Sequence, residues 1–348
     1  MPDPSTARPI RTGIIGFGLA GRVFHAPFIA TNPDFVLEVV ATSNAERAAD
    51  ATSQHPGVEI VGTAEELIAR GLDLVILVSP PHVHLEQALA AFDAGSNVVI
   101  DKPFAASVSD AKQIIAKAEA AGKVLAVFQN RRWDGDFRTV QRLIADGALG
   151  TVFRFESTFE RWGTPKPGQW QEEITPSQGG GILFDLGSHL VDQALHLFGP
   201  AHVEAAELRA VRGGVSEDDA FVSLIHESGV HSHLIMSRVA AQSGPRFRVL
   251  GDASGYSVHG LDNQEPALKE QRWPGSGGYG VTPEAEWGLL GIDGALEPVP
   301  TLSGEYPEFY AGVAASILTG APSPVDPKDS LEVVRIIERA HAMAAAAR

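Results

Sequence analysis

Residues 12–30 read TGIIGFGLAGRVFHAPFIA. A short apolar run, Thr12 to Ile15, ends in Gly16-Phe17-Gly18-Leu19-Ala20-Gly21, and helix-like sequence follows from Ala20 to Ala30. This is G-x-G-x-x-G in a strand–turn–helix setting, which favours a dinucleotide-binding turn over a merely structural glycine turn. The first glycine permits the tight turn, the second lets backbone approach a pyrophosphate, and the third lets helix and strand pack closely. The helix N-terminus then offers free N–H groups and a positive dipole end to phosphate.

Outward from this turn, strand-like and helix-like runs alternate. Phe35–Ala41, Val58–Val61, Leu72–Val78, Asn97–Ile100 and Val124–Phe128 read as strands. Ala45–Gln54, Glu65–Arg70, His84–Ala94 and Ser107–Ala121 read as helices between them. Such alternation with short connections predicts a doubly wound parallel sheet. The pattern then changes. A helix over Asp136–Asp146 precedes period-2 runs at Thr151–Glu160, His202–Val211, Phe221–His226, His231–Val239, Phe247–Leu250 and Tyr256–His259. A helix over Gly181–Phe198 interrupts them, Gly275–Gly280 reads as a mobile loop, and helices over Pro307–Thr319 and Lys328–Ala346 close the chain. The expected fold class is α/β: a Rossmann dinucleotide-binding domain over residues 1–125, then an α+β substrate-binding and oligomerisation domain over 126–348. The second sheet is expected to be open and mostly antiparallel.

The 348 residues carry 27 Lys+Arg against 43 Asp+Glu, a formal charge of −16, and no Cys. The missing cysteines exclude disulfides, thiolate metal sites and cysteine nucleophiles. The acidic balance argues against a sequence-independent grip on nucleic acid or anionic lipid. No apolar run approaches the ~20 residues a membrane span needs. Met1–Pro9 lacks the apolar stretch of a secretory signal and reads as a disordered arm. A cytoplasmic protein is expected.

An NAD-binding turn would carry an acidic residue at the end of the second strand, where it accepts from the ribose hydroxyls. Here Thr42-Ser43-Asn44 stands instead, with Arg47 one turn on. A carboxylate would repel a 2′-phosphate, whereas small hydroxyls and an Arg accept it. NADP(H) is favoured, with NAD(H) the alternative. Glu38 lies too early in the strand, and Glu46 beside Arg47 complicates the reading.

Other candidates lie at the strand ends. Asp101-Lys102-Pro103 follows the strand NVVI, so Lys102 sits at the ligand edge of the sheet or is simply a solvated loop lysine. In GGGILFDLGSHLVD (179–192), Asp185 and His189 are i, i+4, with Asp192 on roughly the same side. On a regular helix they form an oriented proton acceptor, although the same spacing serves surface and capping pairs. Arg131, Arg132 and Trp133 follow the sixth strand. They either bind substrate hydroxyls, or the Arg pair is salt-bridged to Asp134 and Asp136 with Trp133 packed between domains. Arg161 and Trp162 line a pocket or form a surface turn. His84 contacts a ligand or satisfies a backbone group. The pairs His82/His84 and His231/His233 show no convincing metal spacing.

Three stretches taken together carry a resemblance: GFGLAGRVFHAPFI at the first turn, DKP after the fifth strand and GGGILFDLGSHLVD in the second domain. With SPPHVHLEQALAAFDAG and FQNRRWDGDF beside them, the chain resembles the glucose–fructose oxidoreductase / inositol dehydrogenase / MocA family. FQNRRWDGDF looks like its branch of NADP-linked scyllo-inositol dehydrogenases. The resemblance implies a sugar or polyol substrate and a homo-oligomer, dimer or tetramer, built through the C-terminal sheet. It implies Lys102 as the active-site lysine and His189 as general base or acid, with Asp185 polarising it or binding a substrate hydroxyl. Thr42 and Ser43 depart from members with an acidic residue at the ribose end; cofactor contacts are expected at Gly16–Gly21, Thr42, Ser43, Asn44, Arg47, Ser79, Pro80, His84, Lys102 and Asn130. Substrate contacts are expected from Lys102, Arg132, Trp162, Asp185 and His189, and no metal. Two other functions fit the fold: a glycosidase that oxidises transiently with NAD, and a non-catalytic nucleotide sensor. A sensor needs no proton-transfer set, which speaks against it.

Overall fold

Apolar runs too long to leave one face in water become a sheet covered on both sides. In the computed structural model, which describes residues 8–164 and 173–347, these are β1 (Ile10–Ile15), β2 (Phe35–Ala41), β3 (Glu59–Val61), β4 (Leu74–Leu77), β5 (Asn97–Asp101) and β6 (Leu125–Phe128). All pair in parallel in the order β3-β2-β1-β4-β5-β6. Every residue of β4 and β6 is buried, as a sheet sandwiched between helices requires. The strand order reverses between β1 and β4, which opens the ligand crevice beyond their C-terminal ends. Residues 1–7 of the expected N-terminal arm lie outside the described residues.

The second sheet has eight strands: β7 (Val152–Glu160), β8 (Ala201–Arg209), β9 (Asp219–His226), β10 (His231–Ser237), β11 (Phe247–Gly251), β12 (Gly255–Val258), β13 (Gly288–Ile292) and β14 (Ala295–Val299). Their order is β14-β13-β12-β11-β7-β10-β9-β8, antiparallel except for β7 and β10. The expected mostly antiparallel sheet is therefore present. The hairpin β13–β14 was not anticipated, because glycines and Pro298 dilute its alternation. Its Asp293-Gly294 turn, with Gly294 at φ +88°, was the available signal.

Both helices that face the crevice depart from the regular helix expected of them. The run after the glycine turn forms a π turn over Gly21–His25 before α1 (Ala26–Thr31). The run expected as a helix over Gly181–Phe198 forms a π turn over Leu183–Gly187 before a regular helix over Ser188–Phe198. Each turn carries one extra residue, so side-chain spacing computed for 3.6 residues per turn fails across it.

The chain leaves the first sheet after Phe128, and later segments return to it. Tyr306, Phe309, Tyr310 and Val313, in and just before the helix Pro307–Thr319, share one core with Phe28, Phe35 and Phe128. The Gly275–Gly280 segment is not a free loop. Gly304 N–H donates to Gly280 O at 2.8 Å, and Tyr279 packs against the same core. No described helix is long and apolar enough to cross a membrane.

Candidate active site

The glycine turn is shaped by close approach. Gly16 has φ +95°, and a Cβ there would meet Val78 O at 3.1 Å, where β4 ends. A Cβ on Gly21 would lie 2.3 Å from Gly16 O, so only glycine lets the turn fold onto its helix. Above Gly18 a Cβ would meet only the Arg47 guanidinium, at 3.8 Å. Asn44 Oδ1 accepts from Arg47 N at 3.0 Å and caps the helix Ala45–Gln54. That cap fixes where Arg47 starts, and Thr42 Oγ1 accepts from Asn44 N at 3.3 Å behind it. Among the described residues no carboxylate pairs with Arg47. The open backbone at Gly16–Gly21 fits the pyrophosphate of a dinucleotide, with the Arg47 guanidinium beside it.

Across the crevice the two domains meet at Lys102. Its Nζ donates to Asp185 O at 2.8 Å and to Asp185 Oδ1 at 3.1 Å. Arg238 donates to Asp185 Oδ2 at 2.5 Å, and Arg161 stands 3.9 Å from the same oxygen. Burial pushes the Asp185 carboxyl up, but Lys102, Arg238 and Arg161 outweigh it and hold the group well below the usual carboxylate range. His189 lies in the same region, 4% exposed, and its Nδ1 is buried without a hydrogen-bond partner. Burial, then Lys102, Arg131 and Arg246, push its imidazolium form well down, so it is neutral at pH 7. No hydrogen bond joins Asp185 to His189. The i, i+4 pairing expected of a regular helix is undone by the π turn, which sends Asp185 to Lys102 instead.

Several residues expected at the ligand make contacts within the protein. His84 is 1% exposed; its Nε2 lies 2.8 Å from Ser79 O and its Nδ1 3.1 Å from Phe104 O, so neither nitrogen is left for a ligand. It clips the β4 exit to the segment after Lys102, and burial pushes its pKa down. Ser79 Oγ donates to Gln87 at 2.5 Å. Arg132 makes bidentate bonds to Asp192 at 2.8 and 2.7 Å and a third to Asp329 at 3.1 Å. Asp192 accordingly faces Arg132, not the Lys102–Asp185 contact. Arg131 binds Asp134 at 3.1 Å and Glu265 at 3.0 Å, and Trp133 stands edge-on to Phe309. Pro80 leads into the turn Pro81–Val83, and Pro81 lies against Gly179, where a Cβ would come within 2.9 Å. Asn130 is buried at the head of the turn Asn130–Trp133. Trp162 is 66% exposed, bridged to Val239, with the Arg212 guanidinium over its ring at 5.4 Å.

Arg238 and Glu217 were missed. Glu217 anchors the glycine run: its Oε1 accepts from Leu183 N at 3.1 Å, and a Cβ on Gly181 would sit 2.2 Å from it. Arg238 follows β10 as Arg161 follows β7, and the last residues of these parallel strands, Ser237 and Glu160, are in register. An Arg directly after each of two strands was the available signal.

Residues 10–129 match the oxidoreductase family with an NAD-binding Rossmann fold, and residues 137–257 match the GFO/IDH/MocA C-terminal domain. A scyllo-inositol 2-dehydrogenase (NADP+) from Bacillus subtilis is 32% identical over 95% of this chain and 92% of its own. A D-apiose dehydrogenase from Paraburkholderia graminis is 32% identical over 70% of this chain and 64% of its own. The structure of an oxidoreductase from Bacillus subtilis superposes with a TM-score of 0.91 at 31% identity, covering 98% of each chain. With both halves matched, the chain belongs to the GFO/IDH/MocA family of NAD(P)-dependent oxidoreductases.

Proposed function

We propose that this enzyme interconverts a secondary alcohol and a ketone, or a lactol and a lactone, on a sugar or polyol such as an inositol, with NADP(H) preferred over NAD(H). One observation carries the proposal: a buried carboxylate from one domain holds a lysine from the other at the crevice, with a neutral histidine beside them. The nicotinamide, when bound, accepts or returns the hydride. Lys102 donates to the reacting oxygen and stabilises its developing negative charge. His189 receives the hydroxyl proton at Nε2 in oxidation and returns it in reduction. Asp185 keeps Lys102 aimed; its carboxylate is committed to Lys102 and Arg238 rather than to polarising His189. Gly16–Gly21 would hold the pyrophosphate, and Thr42, Ser43 and Arg47 the 2′-phosphate. The NADP+-linked inositol dehydrogenase and the apiose dehydrogenase among the relatives support this substrate class. The proposal includes a cytoplasmic homo-oligomer built through the second sheet, whose β13–β14 hairpin exposes Leu289, Ile292 and Leu296.

The test is absorbance at 340 nm with NADP+ and with NAD+ against a panel of inositols, aldoses and glucosides. Net NADPH formation with a free polyol or sugar is expected. Lys102→Ala should lower kcat far more than cofactor affinity, and wild-type kcat in that variant would sink the assignment.

A further inference from the structure

Asp101 and Lys102 are consecutive, and each faces a residue from one of the two π turns. Lys102 meets Asp185 of the turn Leu183–Gly187. Asp101 meets His25, the last residue of the turn Gly21–His25, at 3.5 Å between Oδ1 and Nε2. His25 is 0% exposed, and its Nδ1 lies 2.6 Å from the hydroxyl of Tyr310, a residue 285 positions away on the returning helix Pro307–Thr319. A proton on Nε2 faces the Asp101 carboxylate, which leaves Nδ1 to accept from the Tyr310 O–H. The His25 ring lies 4.4 Å from the Phe128 ring, and Phe128 is the register partner of Asp101 across β5 and β6.

His25 therefore stands at one end of a segment whose other end, Gly21, is the last glycine of the phosphate-binding turn. The buried imidazole is hydrogen-bonded through Nδ1 alone; its Nε2 is buried without a hydrogen-bond partner and faces the Asp101 carboxylate at 3.5 Å, an arrangement costly enough to need a reason, and nothing in hydride or proton transfer as described above uses it. We infer that His25, locked by Tyr310 and facing Asp101, is a positioning residue that transmits the seating of the cofactor pyrophosphate on Gly16–Gly21 to the Asp101-Lys102 strand end. The inference rests on the cofactor and lysine roles proposed above and adds a mechanical link between them. It makes Lys102 fully aligned only once the phosphate turn is engaged.

The experiment is hydrogen–deuterium exchange by mass spectrometry on the full chain. The probe is 2′-phospho-ADP-ribose, which carries the pyrophosphate but no nicotinamide to reach Lys102 directly. In the wild type the probe should slow exchange about tenfold in peptides over 16–21 and also over 99–104. Tyr310→Phe deletes the 2.6 Å bond but keeps a ring stacked on Phe28. In this variant protection over 16–21 should persist and protection over 99–104 should be lost. His25→Gln, whose amide mimics the Nε2 donor but not the Nδ1 acceptor, should behave like Tyr310→Phe and serves if that variant fails to fold. Protection over 99–104 that survives both substitutions, or that is absent in the wild type while 16–21 is protected, overturns the inference. Absence of wild-type protection over 16–21 removes the cofactor reading, and the inference with it.

Discussion

Asp185→Asn is close to isosteric and removes one charge from the centre of the proposed site. Lys102 would keep the backbone oxygen at 2.8 Å; the Asn amide oxygen could still accept from Lys102 or from Arg238, but its NH2 would face the other cation, and both would lose the negative charge now 3.1 and 2.5 Å away. A hydrogen bond to a charged group contributes about 1.5–3 kcal/mol, and breaking a buried pair costs about 3–5 kcal/mol. The side chains of Lys102 and Asp185 are 18% and 13% exposed, which puts the loss near the lower bound, about 3 kcal/mol. At about 2–4 °C per kcal/mol for a domain of this size, Tm should fall by about 6–12 °C. The pH dependence has a definite sign. The folded carboxyl is held below its unfolded value of about 3.9, so its stabilisation is complete above that value and is lost as pH falls through the folded one. The Asn variant has no such titration. Melts followed by circular dichroism should therefore show a constant gap between wild type and variant from about pH 6 to 8, shrinking only below about pH 4. A variant melting within about 2 °C of wild type at neutral pH, or a gap that closes between pH 8 and 6, would refute the charge balance argued here.

Arg47→Ala should weaken NADP+ binding by about 10–30-fold, the equivalent of one charge-assisted bond of about 1.5–2 kcal/mol, and leave NAD+ binding unchanged. Fluorescence titration with each nucleotide checks this, and equal losses for both would show that Arg47 supports the turn rather than the 2′-phosphate. Burial and the nearby cations Lys102, Arg131 and Arg246 keep His189 neutral, so kcat/KM for alcohol oxidation should stay flat as pH falls through about 6.5. An inflection at or above that pH which disappears in His189→Gln would contradict the downward shift of the His189 pKa, and wild-type kcat/KM in His189→Gln would contradict the proton role.

What the sequence disclosed and what it hid divide along a physical line. The glycine turn, the parallel strands and the positions of Lys102, Asp185 and His189 follow from rules that act within a few residues: backbone sterics, hydrophobic period and strand ends. The partner of each polar group does not. Arg132 could as well have faced substrate; it is taken by Asp192 and Asp329, which arrive from 60 and 197 residues away. His84 looks like a ligand contact until Phe104 O is folded onto it. The most consequential error was geometric, since a helical period applied to residues 181–198 makes Asp185 a partner of His189. One extra residue in the turn Leu183–Gly187 reassigns that carboxylate to a lysine of the other domain. The same irregularity over Gly21–His25 brings His25 to Asp101, beside that lysine. A regular helix satisfies its own backbone and needs nothing from its neighbours, whereas a π turn is tolerated where tertiary contacts favour it. Two such turns converging on one dipeptide argue that the contacts at Asp101 and Lys102 were kept at the expense of local helix geometry, as expected of a site whose alignment matters more than the stability of the helices that carry it.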